Sequence, residues 1–284
     1  MEFPKNLDEV MENVPVRENE DDAELLLLSE AAARESQDTS NLVESGFEDL
    51  DGCMDGGFRE GDFTIISGIP GDGKTTLGRM FTLNFAKAGI PSLWFSHEMS
   101  NRELWDSFDK MGADPAMIAH VPEFLQEDMD WMFRHIDRAI KQHGTKAVFI
   151  DTLGDLVKSV KHQQELGNYA NYLAQMCKDL RNYAVKNKIM IFAVAHAIKQ
   201  TRSGSNETNN SDIANSNGIA AAATNIFHVW RDNETDYRSF VKIGKSRRDG
   251  SKKNWKFAFR FDEGRLLPEG RHEDVAGESV WRST

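Results

Sequence analysis

The sequence predicts an α/β fold, with a mostly parallel central sheet flanked by helices and antiparallel strands added toward the C-terminus. Three observations predict it. Short apolar runs of strand length alternate with helix-length stretches between Phe63 and Ala195, the pattern of parallel strands covered on both faces. A glycine-rich turn joins the first of these runs to the helix that follows it. Beyond residue 225 come three further β-rich stretches, expected as antiparallel additions to the sheet.

Taken in order, residues 1–20 are polar and acidic with Pro4 and Pro15, and are expected to be poorly ordered. Asp21-Asp22 opens a helix-forming stretch, Ala23 to Gln37, whose leading acids suit the positive end of a helix. Leu25 to Leu28 and Ala31 to Ala33 give it an apolar side. So short a helix is marginal alone and is expected to dock, either on its own domain or on a neighbouring subunit. Thr64 to Ser67 is the first strand, Thr75 to Ala88 a helix and Ser92 to Phe95 the second strand. Helices are expected at Asn101 to Met111 and Asp128 to Gln142, a strand at Lys146 to Ile150, and a long helix at Gly167 to Asn187. Ile189 to Ala195 is the fourth strand, and the Ser-, Asn- and Thr-rich residues 199–217 are expected to form a mobile loop. Ile226 to Arg231, Phe240 to Gly244 and Trp255 to Phe261 complete the β-rich end. The division expected is an acidic leader (1–42), a core (43–265) and a C-terminal tail (266–284).

Composition narrows the class. At 284 residues, 39% hydrophobic and 10% aromatic, the chain suits one large globular domain with a short extension. Its longest apolar runs are far too short to span a bilayer. No signal peptide is visible, and Cys53 and Cys177 lack metal-ligand spacing, so a cytoplasmic protein with reduced structural thiols and no membrane association is expected. The net charge of −12 is uneven, because residues 1–60 hold 18 acids against 4 bases. Residues 241–260 carry 8 Lys or Arg and one acid, Asp249. A basic stretch of that kind can serve phosphate contacts or form a solvated face.

The chemistry centres on Gly68-Ile69-Pro70-Gly71-Asp72-Gly73-Lys74-Thr75, followed by Thr76, which fits G-x-x-x-x-G-K-[ST] between a strand and a helix. Glycines at these positions let backbone N–H groups converge on phosphate oxygens at a helix N-terminus. Lys74 is expected on the β- and γ-phosphates of ATP, and the Thr75 hydroxyl on Mg²⁺. Val148-Phe149-Ile150-Asp151 is an apolar strand ending in a carboxylate, which places Asp151 as the second magnesium residue. Glu98 follows the second strand and is the candidate base that orients the attacking water, with Asp155 as the alternative. A role for Glu98 as a helix-capping carboxylate before Ser100 stays open. His196 closes a strongly apolar strand, as a γ-phosphate sensor or as a structural histidine.

In order along the chain, these motifs resemble the RecA-type ATPase domain of DnaB-family replicative helicases. The likeness runs from Ser45-Gly46-Phe47-Glu48-Asp49-Leu50-Asp51 and Gly56-Gly57-Phe58-Arg59-Glu60-Gly61-Asp62 through Ser96-His97-Glu98-Met99-Ser100. It continues with the strand ending at His196, Ser211 to Ile219, and Lys245-Ser246-Arg247-Arg248-Asp249-Gly250. The resemblance implies a homo-oligomer, a ring of six with ATP between neighbours, in which Lys245 and Arg247 reach the γ-phosphate of the adjacent subunit. Arg248 is the alternative finger. It also implies that the 21–37 helix grips the next subunit, that other replication proteins are partners, and that two loops face single-stranded DNA. Lys158 and Lys161 lie in the first loop and Lys199 and Arg202 in the second. His196 stands where bacterial members carry glutamine, and is more like phage and mitochondrial primase-helicases, so a phage or plasmid replication protein is expected. The entry segment is shared with KaiC- and RadA-like ATPases, which leaves a non-unwinding ATPase or a nucleotide-gated assembly factor as the other functions.

Overall fold

The structure, a computed structural model, describes residues 26–30, 42–114, 116, 119–126, 128–158, 169–198, 207–213, 216–231, 238–275 and 278–282. The chain divides into two units, residues 1–42 and 43–284. In the first, residues 28–30 are helical and the Leu27 N–H donates to Glu30 Oε2 at 3.2 Å. The rest of the expected 21–37 helix lies outside the described residues.

The second unit is built on one ten-stranded sheet in the order β10-β9-β8-β7-β6-β1-β5-β4-β2-β3. Its parallel part comprises β1 (Phe63–Gly68), β2 (Ser92–Ser96), β3 (Ala119–His120), β4 (Ala147–Asp151), β5 (Met190–His196) and β6 (Asn225–Arg231). The antiparallel part continues through β7 (Arg238–Ser246), β8 (Lys256–Asp262), β9 (Arg265–Val275) and β10 (Glu278–Arg282). The fold class is therefore the one expected, but the stretch 266–284 is not a tail. Its described residues carry most of β9 and all of β10, both paired into the sheet.

Strand side chains alternate between two apolar layers, as a period of two requires. Trp94, Phe149, Phe192 and Val194 enter the layer that holds Phe81 and Phe85 of α2 (Lys74–Lys87) and Phe108 of α3 (Asn101–Lys110). Their neighbours Leu93, Val148, Ile191 and Ala193 enter the opposite layer. That layer is closed by Trp131 and Ile136 of α4 (Met129–His143) and Cys177 and Leu180 of α6 (Tyr169–Lys186). Between them α5 (Leu153–Lys158) follows β4, α7 (Ser216–Ala222) precedes β6, and α1 (Glu48–Cys53) lies in the entry segment. Both cysteines are free and buried, and burial pushes the Cys177 thiol up to about 12, so it is an inert core group. No helix among the described residues is long and apolar enough to cross a membrane.

Register brings the chemistry to one edge. Gly68 at the end of β1 pairs with His196 at the end of β5, and Ser96 at the end of β2 pairs with Asp151 at the end of β4. Four strands thus stop together, and the loops that follow them meet at the carboxyl ends of a parallel sheet, where such folds form their ligand crevice.

Candidate active site

The loop from Gly68 to Gly73 turns the chain from β1 into α2. Gly73 is the N-cap of α2 with φ 95°, a left-handed conformation that suits glycine. The amine of Lys74, the first helical residue, lies back over the loop and donates to the Ile69 carbonyl at 2.9 Å. Burial pushes that amine down, while Glu98, Asp151 and Asp72 pull in the opposite direction. The Thr75 hydroxyl donates to Asp151 Oδ2 at 2.8 Å, so the two residues expected to share a magnesium ion are in direct contact. Asp151 is 1% exposed, and its other oxygen, Oδ1, is buried with no hydrogen-bond partner among the described residues. Burial pushes its carboxyl up to about 6 in spite of the Thr75 bond. A buried carboxylate oxygen with no partner is costly, and an incoming cation would satisfy it, so Thr75 and Asp151 fit a divalent ion.

Glu98 does not cap a helix. Ser100 caps α3, with its hydroxyl accepting from the Glu103 N–H while its own N–H donates to Glu103 Oε2 at 2.8 Å. Glu98 Oε1 instead lies 2.9 Å from His196 Nε2. Asp155, the alternative base, accepts from the Thr152 hydroxyl at 2.7 Å. Glu98, Asp155 and His196 all place a ligand-type atom within 4.8 Å of one another, so both candidate bases and the candidate sensor are brought together.

Asp72 and Thr76 have roles that the motif alone does not show. Asp72 is 4% exposed, accepts from the backbone N–H of Arg231 at the end of β6, and is pushed up to about 6 by burial. Thr76 is buried and accepts from Arg79 Nη2 at 3.1 Å. Arg79 is a residue that sequence reasoning missed, and it lies within electrostatic reach of Asp151. The signal was available, since Arg79 is four residues after Thr75 and shares its helix face.

Lys245 and Arg247 sit at the other end of the strands. Lys245 pairs with Ile226 across β6, and Ile226 pairs with Ile65 in the first half of β1. Lys245 Nζ donates to the Ala220 carbonyl at 2.5 Å and Arg247 Nη2 to the Ala221 carbonyl at 2.5 Å, near the C-terminus of α7. Burial, with Arg247 and Arg181 nearby, pushes the Lys245 amine down to about 8. No carboxylate among the described residues pairs with Lys245 or Arg247. Arg248 is committed elsewhere, to Asp62 Oδ1 at 2.6 Å, and Asp62 is 1% exposed. Of the candidate DNA residues, Lys158 is the last residue of α5. Lys161, Lys199 and Arg202 lie outside the described residues.

A phosphate loop feeding a helix, a strand-end Asp in contact with its Thr, and a parallel sheet around them define a RecA-like ATPase. Residues 43–219 match the family described as "ATPase: KaiC", and the chain belongs to it. Among curated proteins the chain is similar to circadian clock protein KaiC2 of Synechocystis, 26% identical over 134 residues that make up 42% of this chain and 24% of that protein. It is also similar to a UPF0273 protein of Thermotoga maritima, 27% identical over 137 residues, 40% of this chain and 56% of that one. It thus spans about a quarter to about half of the curated relatives it matches. Among solved structures the fold is shared with a DnaB-like replicative helicase, studied for its interactions with primase (TM-score 0.69, 20% identity, 84% of this chain and 65% of that one). It is likewise shared with a KaiC-like protein of Pyrococcus horikoshii (TM-score 0.64, 18% identity, 80% and 98% coverage).

Proposed function

We propose that this chain is an ATP-driven DNA helicase of the DnaB type, moving along single-stranded DNA as a ring of six with ATP hydrolysed between neighbouring copies. The observation that carries the proposal is the separation of the two halves of the site. Lys245 is level with Ile65, three residues before the phosphate loop begins, or roughly 10 Å along the strand. Its side chain and that of Arg247 donate to carbonyls of α7, away from their own phosphate loop, which supports their serving a phosphate held by another copy. The exposed Arg247, with no carboxylate partner among the described residues, is the finger, and Arg248 is occupied by Asp62.

In this reading the loop amides and Lys74 bind the β- and γ-phosphates, exchanging the Ile69 carbonyl for phosphate oxygens. A magnesium ion held by Thr75 and Asp151 would neutralise phosphate charge. Glu98 takes the proton of the attacking water, and His196, in contact with Glu98, reports the γ-phosphate. Lys245 and Arg247 of a neighbour stabilise charge on the transferred phosphoryl group, an effect that can reach ~10³–10⁵ in rate. Lys158, Lys161, Lys199 and Arg202 track the DNA backbone, the 21–37 helix of the leader grips the next subunit, and the protein works in the cytoplasm alongside other replication proteins. A second reading, a KaiC-like ATPase that acts on DNA or protein without unwinding, is favoured by the family match over residues 43–219. Steady-state ATP hydrolysis with and without single-stranded DNA, beside a forked-duplex unwinding assay, separates the two. Stimulation with unwinding is expected; turnover without either would shift the assignment to the second reading.

A further inference from the structure

Residues 199–217 are expected to form a mobile loop; 199–206 and 214–215 lie outside the described residues, but 207–210 are bonded to the sheet through side chains. His228, Lys242 and Lys256 form a row across β6, β7 and β8, each paired in register with the next, and the row starts beside Ser67 of β1. Residues 207–210 cover it. Lys242, 2% exposed, donates to Glu207 at 2.7 Å and to Asn209 Oδ1 at 2.6 Å, and Lys256 reaches the other Glu207 oxygen at 3.0 Å. His228, fully buried, meets Asn210 Oδ1 at 2.8 Å and the Thr208 hydroxyl at 3.3 Å. Asn210 Nδ2 donates to the Gly244 carbonyl at 3.0 Å. A side chain at Gly244 would not fit, because a Cβ there would come within 2.4 Å of His228 Nε2 and 2.5 Å of Asn210 Oδ1.

From this row the chain runs to the active site within a few residues. The short 3₁₀ turn Asn210–Asp212 is followed by Ile213, which pairs with Ala197, and the Ile198 N–H donates to the Asp212 carbonyl at 2.7 Å. Ala197 also donates to the Gly68 carbonyl at 3.0 Å. The residue after His196 is thus held on one side by the phosphate loop and on the other by the 207–213 segment. A buried lysine is a poor source of net stability, and a fixed geometry is the better-attested use of such a group.

We propose that residues 207–213, anchored by Lys242, Glu207 and Asn210, are a clasp whose task is to position His196 against Glu98 for ATP hydrolysis. The three are positioning residues and touch no substrate. The inference rests on the reading of His196 as γ-phosphate sensor and adds what holds that sensor in place. Lys242→Met is the first variant, since Glu207 keeps Lys256 and no charge is stranded; Asn210→Ala is the second, should the first fail to fold. Each is measured alone and combined with His196→Ala, by steady-state ATP hydrolysis and by amide exchange at Ile198. The clasp variant is expected to lower kcat about tenfold with the ATP KM within about twofold, as a small misplacement at a reacting centre does. Ile198 exchange should rise, and the clasp substitution should cost nothing further once His196 is alanine. An equal loss in the His196→Ala background, or an unchanged kcat despite faster exchange, overturns the clasp. If His196→Ala alone leaves hydrolysis intact, the sensor assignment fails and the clasp's proposed role falls with it. That outcome is told apart by the single variant.

Discussion

Asp72 is an acid inside a loop built to bind anions, and its carboxyl is nearly as buried as that of Asp151. Its folded pKa, about 6, lies above the ordinary 3.8, because burial penalises the charged form more than the Arg231 N–H helps it. The folded chain therefore holds this proton more tightly than the unfolded one. The resulting destabilisation is absent below pH 3.8, grows up to about 6 and is complete above it. Asp72→Asn removes it, so melting curves should rise by a few degrees at about pH 7.5 and converge with the parent toward about pH 4. Equal shifts at both pH values would contradict the burial argument. Glu98 belongs to the same scale: Glu98→Gln should keep ATP binding and slow turnover by ~10²-fold or more, and a normal rate would move the base to Asp155. The positions of the phosphate loop, Asp151 and Glu98 were legible because each ends or directly follows an apolar strand. The setting of Asp72 was not, since its Arg231 partner lies far along the chain on β6 and meets the loop only because β6 pairs beside β1.

At the scale of elements, α3 begins with a self-contained capping box, Ser100 and Glu103, in which Glu98 takes no part. Ser100→Ala is expected to lower Tm by about 2–4 °C while the ATP KM stays unchanged. A raised KM would mean that the cap and Glu98 act as one unit. The parallel strands could be read from sequence because burial on both faces makes them continuously apolar, as in Ala147–Asp151 and Met190–His196. β9 could not be, for Arg265–Val275 mixes charges with Pro268 and Gly270 and earns its place by pairing with β8. β3 has two residues and α1 six, too few for any periodicity. The 207–213 segment was hidden for a different reason: Ser- and Asn-rich composition signals a loop, and the row that fixes it lies on strands β6 to β8.

Across residues 43–284, the sheet separates the two sets of residues proposed to complete one hydrolytic site. Lys74, Thr75, Asp151, Glu98 and His196 gather at the carboxyl ends of β1, β2, β4 and β5, while Lys245 and Arg247 stand toward the opposite edge. A head-to-tail arrangement of copies would bring one edge to the other, and such interfaces close into rings when the rotation allows. The fold class and the order of motifs were legible from the chain, but this opposition was not, because it follows from pairing register between β1, β6 and β7. The most direct test mixes two variants that are each inactive, Lys74→Ala and Arg247→Ala, and measures ATP hydrolysis by the mixture. If sites are shared, an intact loop meets an intact finger at about one interface in four, so activity should return to roughly a quarter of the unmutated protein. A mixture as inactive as its components, under conditions where the copies exchange, would contradict the account.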